Sequence, residues 1–160
     1  MSDYGWCCRC CGCSVGSNDC GRHGAFLQYR GEDDGTIIVA ESPNPHGEWT
    51  WERASARRME QLIGRRVTWY NLFEVEPERW SAMRARAAAS GLLAELTHDH
   101  TVLMLGRRVC AAFGHQKLPW LHGSLSKHAL LVAVPHPSGL NRWWNDPANV
   151  ELAETTLRGI

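Results

Sequence analysis

No stretch of this chain holds enough consecutive apolar residues to span a bilayer. Its first residues also lack the basic segment and long apolar core of a secretory signal. The expectation is a cytoplasmic protein with no membrane partner. Net charge is missing too: 17 Lys and Arg balance 17 Asp and Glu, a formal charge of +0. That excludes a uniformly basic coat, while pairs such as Arg65-Arg66 and Arg107-Arg108 leave room for local patches. Cysteine is nearly absent beyond residue 20, where only Cys110 occurs, and in a reducing compartment the thiols stay reduced unless metal-bound. With 44% hydrophobic and 21% charged residues, wholesale disorder is excluded, and 160 residues suffice for one domain with a real core.

What is present is unevenly distributed. Six of the seven cysteines fall in "CCRCCGCSVGSNDC", which sets residues 1–30 apart as a Cys-rich element ahead of a domain over 31–160. Cys10-x2-Cys13 followed by Cys20-x2-His23 offers two chelating pairs, a spacing that suits tetrahedral zinc. Other registers through Cys7, Cys8 and Cys11 compete, and an iron–sulfur cluster is the alternative. Cys110 sits inside an apolar helical stretch and reads as core.

Beyond "RGEDDG" the chain alternates between strand and helix signals. "TIIVAES" from Thr36, "RVTWYNLFEV", "TVLMLG" and "ALLVAV" are β-branched or apolar runs bounded by turn residues. Between them lie helical stretches: "ERASARRMEQLIG", the segment from Pro77 to Leu96, and "RRVCAAFG". A last helix follows Pro147. This pattern predicts a single three-layer α/β domain with a central four-stranded parallel sheet flanked by helices. Ligands of such sheets bind beyond the carboxyl ends of the strands. Those ends are "ESPNPHG", "YNLFE", "LGRR" and "PHPSGLNRWW", where the polar and aromatic oddities of the chain collect.

His136 lies between Pro135 and Pro137, which restrict the backbone on both sides. An imidazole held this way can donate to a developing oxyanion or exchange protons near neutral pH; it can also merely finish the strand. Ser138 and Gly139 add a hydroxyl and a site of close backbone approach. Asn71 ends its strand with an amide that suits a nucleobase edge, or a turn. Glu41 could position a water or cap the next helix.

Together these residues carry a resemblance. "VPHPSGLNRWW" resembles the His-Pro-Ser active-site motif of the uracil-DNA glycosylase superfamily. "VAESPNPHG" resembles that family's first motif, "TWYNLFEV" its asparagine-ended strand, and "VLMLGRRVCAAFG" its strand–helix segment, in the family's order over about residues 36 to 150. The resemblance implies a DNA glycosylase that cleaves the N-glycosidic bond of uracil or another altered base after flipping it out of the helix. It implies that His136 stabilises the leaving base, that Asn71 reads the base edge, and that Trp49 or Trp51 stacks on it. Ser138, with Pro137 and Gly139, would pinch the DNA backbone, and Leu140 would enter the duplex as a wedge. Arg142, Trp143 and Arg107 are further DNA contacts by charge and shape. Ser42, beside the base, stands where the best-studied branch has its water-activating aspartate. Water activation then falls to Glu41, Asn44 or His46, or is lacking. The expected partner is DNA, single- or double-stranded, bound by a monomer. A catalytically silent base-binding module and an enzyme of a DNA-modification pathway remain alternatives on the same fold.

Overall fold

In the computed structural model, which describes residues 26–29, 34–41, 54–74 and 77–160, six strands form one sheet. They are β1 (Phe26–Tyr29), β2 (Thr36–Ala40), β3 (Thr68–Asn71), β4 (Thr101–Leu105), β5 (Gly123–Leu125) and β6 (Leu130–Val134). The spatial order is β1-β3-β2-β4-β6-β5. The strands β3, β2, β4 and β6 are mutually parallel; β1 and β5 run antiparallel at the two edges. The expected four-stranded parallel sheet is thus corrected to a six-stranded mixed sheet. Both added strands are short, and "FLQY" and "GSL" owe their extended form to a neighbour's ladder rather than to their own composition. Phe26–Tyr29 lies before residue 31, so the sheet reaches back across the expected boundary with the Cys-rich element.

Among the described residues four α-helices flank the sheet: α1 (Ala54–Ile63), α2 (Ala82–Glu95), α3 (Arg107–Ala112) and α4 (Pro147–Arg158). Successive strand residues point to opposite faces, and β2 shows the consequence. Ile37 and Val39 join a core with α2 and α3, whereas Ile38 and Ala40 join another with α1 and α4. The chain is therefore an α/β protein of three layers. The connectivity explains the layering. From β2 the chain steps outward to β3 and then returns past β2 to β4 and β6. Crossovers of one hand put helices on opposite faces when the direction reverses. That reversal opens a crevice between the carboxyl ends of β2 and β4.

Local chemistry sets the helix ends. In α1, Ala56, Met59, Leu62 and Ile63 make the buried stripe, and Gly64 ends the helix at φ +84, donating its N–H to the Glu60 carbonyl at 2.8 Å. The second helix starts at Ala82 rather than Pro77, because the Ser81 hydroxyl accepts the Arg84 N–H and Trp80 packs on the core instead. Asp146 caps α4 through the Ala148 N–H at 2.9 Å, with Pro147 in the first turn. Cys110 is fully buried in α3, as its surroundings in the sequence suggest, and burial pushes its thiol up to about 11 despite the charge of Arg107. At the start of β2 the Asp34 carboxylate accepts the Thr36 N–H and pairs with Arg65. Burial opposes its ionisation, but these partners outweigh burial and hold the carboxyl below its ordinary value.

Candidate functional site

The four parallel strands deliver their last residues to one edge of the sheet, and Asn71, Glu41, Gly106 and His136 all lie there. Asn71 is the last residue of β3 and pairs with Ala40, so its side chain shares the face covered by α1 and α4. It is 0% exposed, and among the described residues neither its Oδ1 nor its Nδ2 has a hydrogen-bond partner. An unmatched buried donor or acceptor costs about 1–3 kcal/mol. Among the described residues that penalty stands at both ends of one amide, at the edge where an α/β sheet takes its ligand.

The loop after β6 is organised around the backbone of His136. Its carbonyl oxygen accepts two side-chain donors, Asn141 Nδ2 at 3.0 Å and Trp144 Nε1 at 2.9 Å. The Asn141 N–H closes a turn onto the Ser138 carbonyl at 3.0 Å, and its Oδ1 accepts the Trp143 N–H at 3.2 Å, opening the 3-10 turn Arg142–Asn145. Trp144 is buried in the α1/α4 core, with the Arg58 guanidinium 4.8 Å from its ring centre. The polar and aromatic density of "PHPSGLNRWW" is thus largely scaffolding that locks the histidine backbone. On the imidazole itself, Nδ1 accepts the Ser138 N–H at 3.3 Å. A neutral ring that accepts this bond carries its proton on Nε2. Gly106, at φ +87, brings the end of β4 beneath the histidine, and a Cβ there would lie 3.5 Å from His136 Cβ.

At the tip of the same loop Gly139 is exposed and Leu140 is 94% exposed, while Ser138 is half-buried. A large apolar side chain standing alone on a loop tip, carried by a fixed backbone, suits insertion into something outside the protein. Trp143 is partly buried and packs edge-on against Trp144 at 4.7 Å, so much of its surface is used inside the chain. Arg142 is exposed.

Glu41 is half-buried just beyond β2, and its Oε2 accepts Arg108 Nη1 at 3.3 Å, bridging the crevice between β2 and β4. Arg108 also lies 5.4 Å from the Trp80 ring centre, and Trp80 meets Phe73 edge-on at 5.3 Å. Arg108 and Trp80 were not legible as site neighbours, since only the crossover from β3 through α2 to β4 brings them beside Glu41. Arg107 turns the other way. Its Nη1 donates to the Gln116 carbonyl at 3.2 Å and to the Leu118 carbonyl, and its guanidinium stacks 3.5 Å from the Trp120 ring centre.

The remaining candidates, Ser42, Asn44, His46, Trp49, Trp51, Cys10, Cys13, Cys20 and His23, lie outside the described residues. Among the described residues no group of three or more His, Cys, Asp or Glu is placed to hold a metal ion. None of the described helices is long and apolar enough to cross a membrane. No protein-family model matches the chain, and no curated protein does. Its functional reading therefore comes from the chemistry of the site.

Proposed function

We propose that this chain is a uracil-DNA-glycosylase-like N-glycosylase that removes uracil or another altered base from DNA by flipping the nucleotide into the carboxyl edge of the sheet. The observation that carries the reading is Asn71, a fully buried amide with both ends unmatched among the described residues. A base edge presenting one donor and one acceptor would satisfy it. His136 follows the strand three spacings along the same edge, about 14 Å away at ~4.8 Å per strand.

In this reading the bond between the sugar C1′ and the base nitrogen breaks, and its electron pair leaves with the base. His136 Nε2–H donates to the carbonyl oxygen on which that charge collects, and the two donors on its own carbonyl oxygen keep the ring in place. Water then adds to C1′ and loses its proton to Glu41 or to solvent. The exposed Leu140 fills the gap left in the duplex. A silent base-binding module is the second reading. It is favoured by the ion pair of Glu41 with Arg108, which engages the one described carboxylate at the crevice.

The test is incubation with single- and double-stranded oligonucleotides carrying uracil or other altered bases, followed by alkaline cleavage of abasic sites. Strand scission is expected, and His136→Ala should slow base release by about 10²–10³-fold, the usual loss for one oxyanion donor. Binding without scission on any substrate overturns the enzyme reading. Metal analysis of the same preparation decides the Cys10, Cys13, Cys20 and His23 proposal. One equivalent of zinc supports it, iron with sulfide supports the cluster alternative, and neither metal refutes both.

A further inference from the structure

The amide of Asn71 has a neighbour in the same condition. Three buried side-chain polar atoms find no hydrogen-bond partner among the described residues: Asn71 Oδ1, Asn71 Nδ2 and Trp69 Nε1. All three belong to β3, on residues two apart, and so share one face of the sheet. Trp69 pairs with Ile38 and Asn71 with Ala40, two residues nearer the carboxyl edge. Trp69 is 5% exposed, within the core that α1 and α4 cover. Comparable groups elsewhere are matched. Trp144, buried in that same core, donates its Nε1–H to the His136 carbonyl at 2.9 Å. The buried Thr36 hydroxyl accepts Arg65 Nη2 at 3.0 Å. Burial alone therefore does not account for the unmatched indole; its place beside Asn71 sets it apart.

An asparagine amide cannot by itself tell a carbonyl from an amino group. Half a turn about its last side-chain bond exchanges acceptor for donor. With neither end held among the described residues, Asn71 could meet the uracil edge, a carbonyl beside an N–H, in one orientation. It could meet the cytosine edge, an amino group beside a bare ring nitrogen, in the other. An indole nitrogen has no such freedom, because it is a donor only. Set beside the amide, it favours a carbonyl, whose oxygen accepts two donors. It opposes an amino group, whose hydrogens would face its own.

We infer that Trp69 is a specificity-determining residue: its Nε1–H, acting with the Asn71 amide, fixes the polarity of the base edge and selects uracil over cytosine. The occupant rests on the glycosylase reading; the residue rests on the two unmatched side chains of β3. The test replaces Trp69 alone with 3-benzothienylalanine, an isostere whose ring sulfur carries no hydrogen, by site-specific incorporation into the whole chain. Trp69→Phe, which also lacks the donor, takes its place should the incorporation fail. Thermal unfolding should find the isostere as stable as the native chain or more so, since no partner is lost. A lower Tm for the isostere overturns the inference, because the N–H is then bonded in the empty fold.

In the native chain, isotopically labelled at its indole nitrogens, the Trp69 NMR signal is the one that the variant lacks. Saturating free uracil should move that signal, and cytosine at the same concentration should not. Movement with neither base, or equal movement with both, overturns the inference. Uracil release from single-stranded oligonucleotides should slow about 2- to 10-fold in the variant, the worth of one hydrogen bond. Release at the native rate overturns the role of Trp69 and leaves the glycosylase reading standing. A Trp69 signal that answers uracil alone, with no base release from any oligonucleotide, does the reverse. It overturns the glycosylase reading and leaves Trp69 as the selective group of a base-binding module.

Discussion

Replacing Asn71 with leucine should stabilise the empty protein and disable it. Leucine branches at the same carbon as asparagine but has no polar atoms. In the fold Asn71 is 0% exposed and both ends of its amide lack partners among the described residues. At about 1–3 kcal/mol for each unmatched group, removing both relieves roughly 2–6 kcal/mol. The extra bulk of leucine in a packed site takes back about 1–2 kcal/mol. The balance is a net gain between zero and roughly 5 kcal/mol, and each kcal/mol raises Tm by about 2–4 °C for a domain of this size. Binding moves the other way. A base whose edge meets leucine in place of the amide loses two hydrogen bonds, so kcat/KM should fall by about 30-fold to 10⁴-fold.

Thermal unfolding and single-turnover base release on the two proteins, side by side, measure both effects. Asn71→Val serves as a smaller companion should leucine overpack the site. The reasoning is refuted if both variants are less stable than the native chain, because the amide then contributes to the empty fold. It is equally refuted if either variant releases base at the native rate.

Leu140 is 94% exposed, so Leu140→Gly should shift stability by no more than about 0.5 kcal/mol. It should slow base release from duplex DNA while sparing single strands; equal slowing on both refutes the wedge. Trp144→Phe removes the Nε1 donor from the His136 carbonyl, leaving Asn141 alone there. It should lower stability by roughly 1–2 kcal/mol in urea titration and slow base release with little change in KM. Unaltered turnover would separate that bond from the site. Asp34→Asn tests the depressed carboxyl at the start of β2. A lowered folded-state pKa stabilises fully above the ordinary carboxylate range and is lost as pH falls through the folded value. The variant should therefore be about 1 kcal/mol less stable at pH 7 and converge with the native chain in strong acid; a constant difference across pH refutes the assignment.

The four central strands and the flanking helices were legible because each carries its own local signal. "TIIVA", "TVLML" and "LLVAV" are buried on both faces and read as continuous apolar runs. The edge strands β1 and β5 were not legible, since partner ladders make them extended. The start of α2 was misplaced because Pro77 is a good first-turn residue, yet the Ser81 hydroxyl captures the cap four residues later. His136 and Asn71 stood out in the sequence by residue type at or just beyond strand ends, and Leu140 only through the family resemblance. Trp144 and Asn141 could not be assigned from it, because their task is to meet one carbonyl oxygen in a folded loop.

Periodicity and turn chemistry act over a few residues, so local pattern alone placed the four central strands, the helical stretches and the gathering of unusual residues at strand ends. Strand order came from long-range assembly, and with it the crevice between β2 and β4, the pairing of Arg108 with Glu41, and an Asn71 amide that finds no partner among the described residues. Those depend on which distant segments become neighbours. Burial and hydrogen bonding are settled by those neighbours, and no local pattern contains them.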